Sequence, residues 1–207
     1  MIGDTNQKSR QFLLYKINLF NGAIASRFNF GEITREKSPK EYFVACVFFK
    51  IHSLGISIEN CIFSNDVFLS IYLFRYVYEL YIKTFYVFSG SSEKEISTRI
   101  NEFFINKRWK FSEIKDKIND QFLPPGFKEN HQNRYYLLSG LVHPNYDSFK
   151  LCLNKTDDQQ FEFLEPNIHL TLWYCIEIVK HFSNIKILNF DTSTDKESLE
   201  ELQNMGA

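Results

Sequence analysis

The stretch V-F-L-S-I-Y-L-F-R-Y-V-Y-E-L-Y-I-K-T-F-Y-V-F, residues 67–88, constrains the fold more than any other part of the chain. At about 100° per residue, Leu69, Leu73, Phe74, Val77, Leu80, Phe85 and Phe88 cover most of a helix circumference. Arg75, Glu79 and Lys83 share one arc of roughly 80°, with Tyr72, Tyr76 and Tyr86 on or beside it. So wide an apolar arc demands neighbouring helices, and three ionisable residues one turn apart argue against a membrane span. The charged strip has two readings. In one it faces water, and the Arg75–Glu79 pair at i,i+4 stabilises the helix by a few tenths of a kcal/mol. In the other it lines a tyrosine-walled groove in which Arg75 holds an anion.

Helix signals dominate the remainder. Ser38-Pro39-Lys40-Glu41 reads as N-cap, N1 and capping box for an apolar run to Leu54, with Gly55 as its stop. Ser64-Asn65-Asp66 opens the helix described above, which is expected to run to Gly90. Ser92-x-x-Glu95 opens another, to about Asn106, and a shorter one spans Phe111–Phe122 before Pro124-Pro125-Gly126. Leu13, Ile17, Phe20 and Ile24 give helical spacing over Thr5–Phe28, weakened at Gly22. F-K-L-C-L (149–153) and Q-F-E-F-L (160–164) alternate with period two, the pattern of a small β-hairpin. Asn167 then caps a long helix through Ile187. The expected class is all-α: an up-and-down bundle of about six to seven helices, with at most one hairpin near 149–164. Residues 1–190 read as a single domain, and 191–207 as an acidic tail or short helix.

A chain of 207 residues with 22 Phe and 11 Tyr can bury a large aromatic core. Its formal net charge of −1 argues against holding nucleic acid by bulk electrostatics, and leaves room for a local basic patch. The polar N-terminus has no signal-like apolar region, and Cys46, Cys61, Cys152 and Cys175 form no C-x-x-C pair. Reduced thiols and a cytoplasmic location are the expectation. The histidines lack metal-ligand spacing and the glycines lack phosphate-loop spacing, so no metal and no cofactor is expected. The run N-K-R-W-K-F (106–111) interleaves Lys107, Arg108 and Lys110 with Trp109 and Phe111. Base stacking with phosphate contact is conceivable there, and a solvated face between two helices is the favoured reading.

Residues 133–145, N-R-Y-Y-L-L-S-G-L-V-H-P-N, hold the remaining candidates. On a helical wheel Leu137, Leu138, Leu141 and Val142 define a core face with Arg134 at its middle. Gln132, Tyr136, Ser139 and His143 lie opposite. An Arg134 turned to the core needs an acid, for which Glu79 is the candidate; the alternative is a side chain that reaches solvent from the helix start. Ser139 and His143 are one turn apart, within reach of a hydrogen bond. Pro144 pushes His143 out of the α region, where it can face a groove or cap the last carbonyls. Gly140 is either the residue just past the helix or a point of close helix approach.

R-x3-E in an aromatic-rich helix (Arg75, Glu79), followed by Tyr136, Ser139, His143 and Pro144 on a later one, resembles uncharacterised bacterial helical families in or near the HEPN superfamily (higher eukaryotes and prokaryotes nucleotide-binding). The resemblance covers roughly residues 64–146. It implies a helical bundle that dimerises and recognises RNA or a nucleotide. In many members it implies metal-independent ribonuclease activity in toxin–antitoxin or antiphage systems, while others have lost catalysis. Catalytic members place Arg four to six residues before His on one helix. Here eight residues separate Arg134 from His143, which sets them on opposite sides and roughly 13 Å apart. A site would therefore draw on Arg75 from the other helix, or on a second subunit. By this resemblance His143 is the general base or acid on a ribose 2′-hydroxyl, and Arg75 or Arg134 stabilises phosphate charge. Ser139 joins them, with Glu79, Tyr76, Tyr136 and Arg134 binding the substrate. The alternative is a non-catalytic protein-interaction module in which Arg75, Glu79 and Arg134 form a structural cluster. A small-molecule enzyme ranks third.

Overall fold

Asp66 starts the central helix by accepting the Leu69 N–H at 2.9 Å, satisfying one of the donors that every helix N-terminus leaves open. Ser92 does the same for the next helix, accepting from Glu95 N at 3.2 Å, while the Glu95 carboxylate reaches back to Ser91 N at 2.8 Å. The computed structural model describes residues 2–25, 34–105, 107–123, 126–143 and 156–182. Side chains are described for all of these except 2–6, 23–25, 111–112, 128–131 and 134. In order the elements are α1 (Ile2–Ala25), α2 (Pro39–Ser64), α3 (Val67–Phe88), α4 (Glu93–Phe104), α5 (Phe111–Lys115), a 3-10 turn (Asp120–Phe122), α6 (Phe127–Val142) and α7 (Asp157–Phe182). Among the described residues every regular element is helical, as the all-α reading expected.

The apolar arc of α3 is enclosed as its width requires. It packs chiefly on α7, with α2 and α6 beside it and α4 and α5 at one end, while α1 lies on α2. Tyr78, Tyr81 and Tyr174 are fully buried. Their rings form a stack with α6, Tyr78 lying 4.6 Å from Tyr135 and 5.6 Å from Phe127, while Tyr81 meets Tyr174 at 4.9 Å. The Tyr81 hydroxyl donates to the Phe122 carbonyl at 2.8 Å, which ties the 3-10 turn to α3. These rings pack among aliphatic residues that are as fully buried, such as Ile17, Ile51, Val77, Ile168 and Ile178.

Four expectations are corrected. Gly55 does not stop α2, which continues to Ser64; it is buried mid-helix where α1 crosses, and a Cβ there would lie 2.0 Å from Asn21 Oδ1. Close approach, not termination, is what this glycine allows. The second arm of the expected hairpin, 160–164, lies inside α7. Phe161, Leu164 and Ile168 are buried at i, i+3 and i+7, a helical period that the local alternation disguised. Its first arm, 149–153, lies outside the described residues, as do the 191–207 tail, Cys152 and Pro144. Asn167 is not a cap but an interior residue of α7. Pro166 beside it can offer no N–H, and Asn167 Nδ2 donates one turn back to the Phe163 carbonyl at 2.8 Å. Helix α5 spans only five residues instead of reaching Phe122.

Of the thiols, Cys61 and Cys175 are buried and Cys46 half-buried, all free. Burial, helped by Asp66, pushes Cys61 up to about 12. Among the described residues α2 is long and apolar enough to cross a membrane by length and composition; half of that window is buried in the bundle.

Candidate functional site

Two contacts fix how α6 lies on α3. The Tyr72 hydroxyl donates to the Val142 carbonyl at 3.3 Å, and the Tyr135 hydroxyl donates to Glu79 Oε1 at 3.0 Å. The helices are therefore antiparallel, and between the two contacts Arg75 stands level with the turn that carries Ser139. The charged strip of α3 is thus neither fully solvated nor enclosed: it forms one wall of the α3–α6 seam, and the Arg75 and Glu79 side chains are 32% and 33% exposed.

Glu79 is the hub. Its Oε1 accepts from Arg75 Nε at 3.4 Å and from Tyr135, and its Oε2 accepts from Lys83 Nζ at 3.4 Å. Desolvation opposes the Arg75 charge but is outweighed by Tyr135 and Glu79, so its pKa rises further. Burial, then the Glu79 charge and hydrogen bond, holds the Tyr135 phenol protonated well into the alkaline range. Ser139 Oγ is buried and has no hydrogen-bond partner of ordinary geometry, although it lies near enough to Tyr135 to favour the phenolate slightly.

Arg75, Glu79 and Ser139 thus come together, and Tyr135, which the sequence reading passed over, joins them. The face assigned to α6 is rotated from the one expected. Leu137, placed on the core face, is 67% exposed, whereas Tyr135 and Leu138 are buried. Tyr135 prevails because its ring stacks on Tyr78 while its hydroxyl finds a carboxylate, satisfying both ends of an amphipathic side chain. Gly140 is neither a helix stop nor a crossing point, since α6 continues to Val142 and an added Cβ would meet nothing within 4 Å.

His143 is the residue that ends α6, exposed and in extended backbone (φ −80°, ψ 139°), as expected for a residue before proline. No hydrogen bond or ion pair joins it to Arg75, Glu79 or Ser139. Tyr136 is exposed on α6, whereas Tyr76 is exposed on the α2 side of α3, with Lys50 over its ring at 5.0 Å. The side chain of Arg134 lies outside the described residues.

On the other side of Glu79 the strip borders a groove with a cavity volume of about 530 Å³. Its walls are Tyr76 and Lys83 of α3, Phe103 of α4, and Lys107, Arg108, Trp109 and Lys110 from the segment that follows. A smaller recess of about 70 Å³, lined by Tyr76, Glu79, Leu80, Lys83 and Phe103, adjoins it. The Trp109 indole is held in place: it meets Tyr86 edge-on at 5.0 Å and donates to Glu102 at 3.2 Å. The sequence displayed the basic–aromatic run but not the opposing wall, which comes from α3. Among the described residues no group of three His, Cys, Asp or Glu is placed to hold a metal ion.

Neither protein-family models, nor curated proteins, nor solved structures give a match to this chain.

Proposed function

We propose that this chain is a HEPN-like RNA- or nucleotide-recognising protein whose α3–α6 seam cleaves RNA without a metal, in a defence or toxin setting and as a homodimer. The placement of Arg75 level with Ser139, with exposed His143 at the adjoining end of α6 beside the Tyr72 contact, carries this reading. In the reaction His143 takes the proton of a ribose 2′-hydroxyl and the 2′-oxygen bonds to phosphorus. The bond from phosphorus to the 5′-oxygen breaks, and the leaving alkoxide takes a proton from solvent. Arg75 stabilises the charge that develops on the phosphoryl oxygens. The test is cleavage of a mixed RNA pool in EDTA by the wild-type protein, His143→Ala and Arg75→Ala, each checked for folding by circular dichroism. Losses of about 10²–10⁴-fold in both variants are expected. Absent or equal cleavage across all three would end the catalytic reading.

A second reading is a non-catalytic protein-interaction module. It is favoured by the filling of Glu79 with three donors from the chain itself and by the lack of any bond from His143 to that cluster. Arg75, Glu79 and Tyr135 would then be scaffold, and the exposed Tyr136 and Leu137 part of the docking face.

A further inference from the structure

The groove beside α4 has chemistry that the seam does not use. Among the described residues four cations line it, Lys83, Lys107, Arg108 and Lys110, and the nearest carboxylates are Glu79 in the adjoining recess and Glu102 behind Lys107 and Trp109. Three of them have acidic neighbours: Lys83 with Glu79, Lys107 with Glu102, and Lys110 with Glu113 at 3.3 Å. The Lys110–Glu113 pair is largely exposed, the kind of pair that contributes little and yields readily to a stronger anion. Arg108 is exposed and makes no ion pair among the described residues, so its planar donor fork is available. Aromatic surface stands among these charges in Tyr76, Phe103 and Trp109, and Trp109 is anchored at its N–H and its edge. The volume of about 530 Å³ lies within the range of sites that hold one small ligand.

The geometry points to this groove as a nucleotide-binding subsite, taking a heteroaromatic ring against Tyr76 and Trp109 and a phosphate on Arg108, Lys107 and Lys110. Neither half of such a ligand suffices. The rings offer stacking but few polar groups to hold a sugar or an amino acid, and a bare anion leaves the aromatic walls wet. A free nucleotide and one unit of an unpaired RNA strand present the same chemistry. The subsite shares its ligand class with the recognition reading above and is independent of cleavage, since neither His143 nor Arg75 lines it.

The experiment is equilibrium binding to the full chain, with ATP, adenosine, inorganic tripolyphosphate and a fluorescent oligoadenylate as separate probes. The variants are Arg108→Ala, Lys110→Ala and the pair together, with Lys117→Ala, a cation outside both the groove and the seam, as the charge-matched control. All the substituted positions are exposed, so folding should be unaffected. ATP or oligoadenylate should bind, with adenosine and tripolyphosphate at least about tenfold weaker. Each substitution should cost about tenfold. For the RNA probe each should also lower the salt slope by about 0.7. Lys117→Ala should bind as the wild type does. Binding of ATP alone identifies a free nucleotide as the ligand, and binding of oligoadenylate alone identifies a strand. No binding of either, tripolyphosphate binding as tightly as ATP, or full affinity in the double variant would overturn the assignment. Binding by a wild-type protein that cleaves no RNA would leave this subsite standing while the cleavage reading falls.

Discussion

Replacing Gly55 with alanine puts a methyl group 2.0 Å from Asn21 Oδ1 and 3.1 Å from its Cγ, where ordinary contact begins near 3.5 Å. The carboxamide must therefore retreat by about 1.5 Å, or α1 must lift from α2. Overpacking of this kind costs about 1–3 kcal/mol. Set against it is the helix propensity of alanine, about 1 kcal/mol better than glycine within a helix. In the wild-type background the substitution should thus range from neutral to about 2 kcal/mol destabilising. In an Asn21→Ala background the obstacle is gone, and the same substitution should stabilise by about 1 kcal/mol. Asn21→Ala should itself be mild, because the oxygen it removes is buried without a hydrogen-bond partner. Urea unfolding of the four proteins, followed by far-UV circular dichroism, gives the coupling directly, expected at about 1–3 kcal/mol. A coupling below about 0.5 kcal/mol would mean that Gly55 does not mark the α1–α2 crossing.

Tyr135→Phe removes a hydrogen bond to a carboxylate at 3.0 Å and should cost about 1–2 kcal/mol in the same assay, against almost nothing for exposed Tyr136→Phe. Equal effects at the two positions would dismiss the hub at Glu79. The pH dependence of stability should carry the signature of His169. Burial, followed by the nearby Lys16 charge, pushes it down to about 4, and Glu165 at 3.9 Å does not outweigh them. The unfolded chain takes up this proton near pH 6.5 while the folded protein resists it, so the contribution is intact above about pH 6.5 and lost as pH falls towards about 4. The slope is at most about 1.4 kcal/mol per pH unit. His181 is lowered by burial with the same sign, so His169→Gln should flatten the acid limb in part. Wild-type and variant curves that run parallel would refute the assignment to His169.

Where the chain carries its own local signals, the fold was legible. Asp66 and Ser92 announce helix starts because their side chains bond backbone donors within three residues, a matter of sequence neighbours alone. The wide apolar arc of α3 likewise dictated a surrounded helix. What the sequence hid depends on residues far apart. Gly55 resembles a stop because the helix that needs its missing side chain lies more than thirty positions upstream, at Asn21. The start of α7 resembles a strand because Phe161 and Phe163 alternate locally, although burial follows Phe161, Leu164 and Ile168. Counting leucines set the face of α6 wrongly by a fraction of a turn, since a tyrosine with a half-buried carboxylate partner outcompetes Leu137 for the interior. The same limit applies to the basic run at 107–110, which becomes a groove only when Lys83 and Tyr76 of α3 stand opposite it.

Glu79 divides its two oxygens between two neighbourhoods. One oxygen serves Arg75 and Tyr135 on the α6 side, and the other serves Lys83 on the groove side. A carboxylate is a single delocalised anion, so its two ends do not act separately. An anion that draws Lys83 away leaves more of the negative charge to Arg75 and Tyr135, and one that draws Arg75 away leaves more to Lys83. Removal of this one carboxylate would therefore strip a partner from Arg75 and Tyr135 on one side and from Lys83 on the other in a single step.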